Sequence, residues 1–437
     1  MISHEELRSY VRWEDGLISP HIFSSDEIYE LEMKRVFGRS WLFLAHDSQI
    51  PKPGDYFATY MGADPVLIVR QADGSVAAFL NACRHRGMKV CRGDEGNSKA
   101  FTCNYHGWSY DTAGRLVSVP SREHVYGEDF DMSRWGLAPV ARLDHYQGFW
   151  FGSFDPSIVD LGTYLGPFRY YMDTFLDTMP GGIEFIGGTQ KAMMGGNWKF
   201  AAEQFAGDSY HAATSHISDF AVTTPPELMP VRDQSGDHGP IGFHQFSTLD
   251  GHGAGFNTTR NPRRFAAAGA PTDVIDQYQD SIEPDVLARY GEDAASIYRG
   301  VIQHANVFPN LSFLSNPTTV RVWHPKGPAG MEMYSWVYVD KDAPAEVKDQ
   351  LRWITQHHFG PQGLAEQDDG ENFSAIGSNL SLRGPETHKL MLHYRMGLSD
   401  TAGDTQPAKG GRVKGMGEMP QRLFYRRWLE LMTDSGE

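Results

Sequence analysis

Apolar and polar positions change period several times along the chain. Ser24-Ser25-Asp26-Glu27 supplies an N-cap and a capping-box glutamate, Ile28, Leu31, Val36 and Phe37 follow at roughly helical spacing, and Gly38 stops the run. From Trp41 the texture is β. Trp41–Ala45, Tyr56–Tyr60, Val66–Arg70, Val76–Leu80 and Phe149-Trp150-Phe151 are short strand-like runs. Turn chemistry separates them, as in Pro51-Lys52-Pro53-Gly54-Asp55, Ala72-Asp73-Gly74 and Asp111-Thr112-Ala113-Gly114. Beyond about residue 158 the pattern is mixed. Trp198 to His216 reads as a helix, and residues 225–271, rich in Gly, Pro, Asp and Asn, as long loops. Val320–Trp323 and Met333–Val339 predict strands joined by Pro325-Lys326-Gly327-Pro328. Ala343 to Phe359 predicts a helix with Pro344 near its first turn. Ser399 to Gly417 reads as a polar loop and Arg422 to Met432 as a last amphipathic helix. No internal repeat breaks this order.

A chain of 437 residues holds about two to three domains. Its formal charge of −16 argues against nucleic acid, which needs clustered Lys and Arg, and against an anionic membrane surface. Met1-Ile2-Ser3-His4-Glu5-Glu6 has neither the basic start nor the following apolar run of a signal peptide, and no stretch reaches the length of a membrane span. Three cysteines give no disulfide framework. A cytoplasmic protein is the expectation.

Two of those cysteines carry chemistry. Cys83-Arg84-His85 and Cys103-Asn104-Tyr105-His106 lie in loops between strand-like runs, so both pairs are expected at loop tips that can face each other. Two thiolates and two imidazoles suit a Rieske [2Fe–2S] cluster, with two sulfurs on one iron and two nitrogens on the other. The competing reading is a tetrahedral zinc site. Zinc loops usually pair Cys with Cys and His with His, whereas here each half carries one of each. Neutral imidazoles in place of two thiolates also make such a cluster easier to reduce. Cys91 is the odd cysteine and reads as a small packed thiol.

A redox cluster needs a site that uses its electrons. Asp208-Ser209-Tyr210-His211 followed by His216 is the candidate. Five positions on an ideal helix leave two rings about 140° apart, so the pair converges only if the helix widens or ends between them. Iron bound by two His and one carboxylate keeps positions open for dioxygen and substrate. The carboxylate is sought in Glu366-Gln367-Asp368-Asp369-Gly370-Glu371-Asn372, whose four acids the spacing does not rank. No Lys or Arg lies between Lys199 and Arg232, which favours an uncharged substrate because an unpaired buried charge is costly. Phe205 and Phe359 read as apolar pocket walls. No nucleotide fingerprint of the G-x-G-x-x-G kind follows a strand, so electrons must come from another protein.

Longer motifs carry a family resemblance. They are Trp41-Leu42-Phe43-Leu44-Ala45-His46, Gln49-Ile50-Pro51, Asn81-Ala82-Cys83-Arg84-His85-Arg86-Gly87 and Cys103-Asn104-Tyr105-His106-Gly107-Trp108-Ser109-Tyr110. Asn197-Trp198-Lys199, Asn306-Val307-Phe308-Pro309-Asn310 and Glu366-Gln367-Asp368-Asp369 follow. The chain resembles the large (alpha) subunit of Rieske non-haem iron aromatic-ring-hydroxylating dioxygenases of the naphthalene, biphenyl and phenylpropionate kind.

The resemblance implies an α+β fold, with a β-sandwich-like Rieske domain and a larger helix-grip catalytic domain built on an antiparallel sheet. The expected bounds are 1–37 as an N-terminal helical part of the catalytic domain, 38–158 for the Rieske domain and 159–437 for the rest. It implies that Cys83, His85, Cys103 and His106 hold the cluster and that His211, His216 and Asp369 hold a mononuclear Fe(II). Asp208 becomes the bridge to a cluster histidine, His106, of a neighbouring subunit. Gln204, Phe205, His304 and Phe359 become substrate contacts. The implied reaction inserts both atoms of dioxygen into an uncharged mono- or polycyclic arene to give a cis-dihydrodiol. NADH drives it indirectly, through a separate reductase or ferredoxin. A small beta subunit in an α3β3 assembly is the implied partner. The alternative is a Rieske monooxygenase or demethylase acting on a carboxylated aromatic such as salicylate or phenylpropionate.

Overall fold

The computed structural model describes residues 2–223, 243–257, 273–298, 303–315, 318–381, 384–398, 413–414 and 417–434. The chain forms two compact units, Phe37–Leu161 and a larger one that joins Met1–Val36 to Gly162–Glu437.

The smaller unit is built from antiparallel sheets. One has four strands in the order Val76–Leu80, Asp64–Arg70, Asp55–Met61, Glu95–Asn97. A second has three, Leu116–Ser118, Ser109–Asp111 and Ala100–Thr102. A third joins Arg142–Tyr146, Phe149–Ser153 and Leu42–His46. Along Asp55–Met61 every second residue (Phe57, Thr59, Met61) turns inward, the period of a strand with one covered face. Leu67, Val69 and Phe79 of the first sheet meet Phe101, Tyr110 and Leu116 of the second in one core that also holds Cys83, Cys91 and Cys103.

The larger unit is organised by an eight-stranded antiparallel sheet. Its order is Ile183–Gly195, Gly330–Asp340, Thr318–Pro325, Leu311–Ser315, Gln303–Val307, Gly253–Asn257, Phe243–Ser247, Val413–Lys414. Helix Trp198–Gly207 lies on the middle of this sheet and against the last helix, Met419–Thr433. Helices Ala345–Phe359 and Leu364–Ser381 pack on each other. The N-terminal helix Asp26–Arg35 is tied into the same unit by one buried carboxylate. Glu32 accepts from Lys199 Nζ at 2.5 Å, Trp198 Nε1 at 3.0 Å and Trp428 Nε1 at 2.7 Å. A buried charge is tolerable only when its oxygens are satisfied in this way.

Local differences from the sequence reading have physical causes. Ser25 caps helix Asp26–Arg35 through the Ile28 amide, but no capping box forms because that cap puts Ile28 at the third helical position and Glu27 at the second, where it accepts from the Ile2 amide. The loops expected over 225–271 give way, at 243–257, to the paired strands Phe243–Ser247 and Gly253–Asn257. The rest of that stretch lies outside the described residues. Gly253 hid the second strand, since glycine weakens strand propensity. It is there because a Cβ would come 2.3 Å from the Ala206 carbonyl oxygen of the overlying helix. Most of Ser399–Gly417 also lies outside the described residues. No described helix is long and apolar enough to cross a membrane.

Candidate metal centres

The two Cys–His loops are twins. Cys83 N–H donates to the Met88 carbonyl and the Cys83 carbonyl accepts from Gly87, both at 2.8 Å. Cys103 makes the same pair with Trp108 at 2.8 Å and Gly107 at 2.9 Å. Gly87 and Gly107 turn these loops at φ +75° and +72°, where a side chain would be strained. Asn81 braces the first loop. Its Oδ1 accepts from the Val90 and Cys91 amides and its Nδ2 donates to the Cys91 carbonyl. The Cys91 thiol points to the Gly93 carbonyl at 3.5 Å, as a packed thiol does.

Depth sorts the four side chains. The Cys83 and Cys103 thiols are free and buried in the core, whereas His106 is exposed. The two imidazoles lie 4.5 Å apart by ring centroid, and His85 stacks flat on Trp108 at 5.1 Å. His85 Nδ1 is buried with no hydrogen-bond partner among the described residues. Tyr110 OH accepts the Arg84 amide at 3.1 Å, which leaves its proton for Cys83 Sγ at 3.4 Å. Free inner sulfurs and an unpartnered ring nitrogen fit a group bound by sulfur below and nitrogen above. A hydroxyl donating to such a sulfur raises a cluster's potential.

The second centre is made by breaking a helix. Trp198–Gly207 stops where Gly207 passes under Pro420; a Cβ there would lie 2.5 Å from Pro420 Cγ. Asp208 follows in extended conformation, and its Oδ1 accepts the Tyr210 amide at 2.7 Å and the His211 amide at 3.3 Å. This carboxylate turn starts the short helix Ala212–Ser215 on a new axis. The break removes the angular mismatch of the five-residue spacing, and the two rings come to 5.1 Å.

Asp369, on Leu364–Ser381, completes the set. Among the described residues, His211, His216 and Asp369 are the His, Cys, Asp and Glu side chains whose ligand atoms lie within 4.8 Å of one another. Asp369 Oδ1 is 3.5 Å from His211 Nε2 and 3.4 Å from His216 Nε2, buried and without a hydrogen-bond partner among the described residues. An orphaned buried oxygen facing two ring nitrogens fits a cation between them. Each Nδ1 turns to a different carboxylate, His211 to Asp208 and His216 to Asp368, both at 3.2 Å. Outer carboxylates of this kind fix ring orientation and leave Nε2 for a metal. Of the four acids in the run, Asp369 converges, Asp368 orients His216, Glu371 is exposed and Glu366 pairs with Arg321.

The expected pocket residues divide. The Gln204 side chain bonds Asp369. His304 is pushed by burial to about 4 and is neutral. Its Nδ1 therefore donates to the Phe205 carbonyl and its Nε2 accepts from Ser209 Oγ, both at 2.9 Å, which ties the sheet to the broken helix. Phe205 and Phe359 lie either side of a cation that sequence reasoning did not place. The Arg321 guanidinium is 5.0 Å from each ring, fully buried, and 2.7 Å from Glu366 Oε2. Burial raises Glu366 to about 7 against the pull of Arg321. The sequence held a weak signal for it: an Arg among the apolar residues of Thr318–Pro325, a strand buried on both faces.

Comparison with known proteins gives the chain a family. Residues 40–132 match the Rieske [2Fe-2S] domain and residues 184–434 the ring hydroxylating alpha subunit catalytic domain. The biphenyl dioxygenase alpha subunit of Paraburkholderia xenovorans is 42% identical over 442 residues, 98% of this chain and 94% of the relative. The benzene 1,2-dioxygenase alpha subunit of Pseudomonas putida is 42% identical over 427 residues, 96% of this chain and 91% of the relative. The solved structure of naphthalene 1,2-dioxygenase from Rhodococcus sp. bound to indole superposes with a TM-score of 0.84 at 32% identity, covering 99% of both chains. Identity at this level across nearly the full length of both partners is a family relationship, and the chain belongs to the Rieske non-haem iron ring-hydroxylating dioxygenases as an alpha subunit.

Proposed function

We propose that this chain is the terminal oxygenase subunit that converts an uncharged mono- or polycyclic arene to its cis-dihydrodiol. The orphaned Asp369 Oδ1 between two Nε2 atoms carries the reading. His211, His216 and Asp369 hold mononuclear Fe(II), and Cys83, His85, Cys103 and His106 hold the [2Fe–2S] cluster, with residues 38–158 as the cluster domain and 1–37 with 159–437 as the catalytic domain. When bound, the iron would supply dioxygen activation and the cluster would supply single electrons. The chain's own residues do the rest. Asp208 and Asp368 hold the two imidazoles by Nδ1, and Gln204 holds the carboxylate. Phe205 and Phe359 wall the arene, with His304 keeping Phe205 and Ser209 in place.

Substrate charge follows from Arg321. Its Nη2 is paired with Glu366 and its guanidinium lies against two phenyl rings, which favours an uncharged ring over a carboxylated one beside it. Relatives named for biphenyl, benzene, chlorobenzene and naphthalene support the same class. Asp208 links the iron site to His106 of a neighbouring copy. A small beta subunit in an α3β3 assembly completes the oxygenase, and NADH reaches it in the cytoplasm through a reductase, a ferredoxin or both. The test is turnover under labelled dioxygen with partner proteins. A dihydrodiol carrying both labelled atoms is expected; a phenol or aldehyde carrying one would make the enzyme a monooxygenase or demethylase.

A further inference from the structure

The reaction needs protons as well as electrons. Arene, dioxygen, two electrons and two protons give the diol. Two C–O bonds form, the O–O bond breaks, NADH-derived electrons are consumed and each diol oxygen ends with one proton. None of the residues assigned above has a proton to spare, because both ring Nδ1 atoms face carboxylates and Asp369 faces both Nε2 atoms.

A cavity of about 540 Å³ abuts the iron site on the Asp208 side. Its wall runs from exposed Tyr210 and His393 to the half-buried Gln204 and the buried Glu203, and includes Asp208 and His211. It is polar enough and large enough to hold water. Glu203 is 8% exposed, and its Oε1 accepts from Tyr394 OH at 2.9 Å with the Tyr425 hydroxyl beside it. We propose that this cavity is the proton entry for dioxygenation and that Glu203, set between Tyr394 and Tyr425, is the group that holds and passes each proton toward the iron site.

Geometry and chemistry agree. Gln204, next to Glu203 in the chain, lines the same cavity and bonds Asp369. Burial lifts Glu203 to about 8, so it keeps a proton at neutral pH. The charged or titratable groups around it are Lys199 and Asp208 from its own segment and Tyr394, Glu418 and Tyr425 from the C-terminal part. After giving up a proton, Glu203 recovers one from solvent through the cavity. A buried acid with purely structural tyrosine partners would leave proton inventory untouched.

The test is E203Q in the complete oxygenase with its electron donors, beside E203D and Tyr394→Phe. E203Q is expected to load both metals yet form at least tenfold less diol per dioxygen consumed, release peroxide and show an altered solvent deuterium isotope effect. E203D should recover part of the coupling and Tyr394→Phe should fall between. Without turnover, infrared spectra of the wild type at neutral pH should show a protonated-carboxyl band that E203Q lacks. Should E203Q fail to fold, Tyr394→Phe and the pH titration of that band decide. The inference rests on the dioxygenase reading. A wild type that makes no diol overturns both, whereas E203Q with wild-type coupling, or a wild type without the band, overturns the relay alone.

Discussion

Asp368 and Asp369 are adjacent acids that the tertiary structure gives different tasks. One points at His216 Nδ1, the other between two Nε2 atoms. Asp369→Ala should lose the mononuclear iron and all turnover while keeping the cluster's visible spectrum. Metal analysis should then fall from about three irons per chain to about two. Asp208→Ala should keep both metals, because Asp208 touches His211 Nδ1 and not the ligand face. Single-turnover electron delivery should slow by about 10–100-fold, the usual scale for losing an outer partner. Normal delivery in that variant would remove Asp208 from the electron path.

Elements set these residues up through packing. Helix Trp198–Gly207 ends against the last helix, and residue 207 has to be glycine there because Pro420 occupies the Cβ position. Gly207→Ala should force those two segments apart at a cost of about 1–3 kcal/mol. A lowered melting temperature and loss of mononuclear iron should appear together. Arg321 ties strand Thr318–Pro325 to helix Leu364–Ser381 through Glu366. Arg321→Met alone strands a buried carboxylate and should destabilise by about 3–5 kcal/mol, while Arg321→Met with Glu366→Met should recover most of it in denaturant titrations. Glu203 gives a pH signature. Its folded value of about 8 stands above the ordinary glutamate value of 4.5, so the folded state keeps a proton that the unfolded chain releases. Stability should therefore fall as pH rises from about 4.5 to about 8, and E203Q should flatten that slope.

At the scale of the whole molecule, one acidic chain holds two redox chemistries in separate compact units. The larger unit is discontinuous in sequence, and Glu32 shows why. Its carboxylate collects donors from helix Trp198–Gly207 and from helix Met419–Thr433, so helix Asp26–Arg35 is held to the last helix. Glu32→Ala should leave Lys199 as an unpaired buried cation and lower the melting temperature of the larger unit, with the cluster spectrum unchanged. A parallel loss of the cluster spectrum would show that the two units do not unfold independently.

The sequence by itself determined the local chemistry. The Cys–His loops, the strand runs from Trp41 to Leu80 and the helix ending at Phe359 were legible because each depends on neighbours within a few residues: turn glycines, alternation or helical period. The five-residue gap between His211 and His216 was also legible, as a demand that the helix break. Only the tertiary structure decided how the break is made, since Pro420 and Gly207 are far apart in the chain. Spacing did not rank the four acids near residue 369 and the choice of Asp369 came from family resemblance, because which carboxylate reaches an imidazole depends on how Leu364–Ser381 packs. The tertiary structure alone brought Arg321 between Phe205 and Phe359 and placed Glu203 beside Tyr394. Periodicity reports which face of an element is covered; which charge meets which partner is settled by contacts between distant segments, and a one-dimensional pattern carries no record of them.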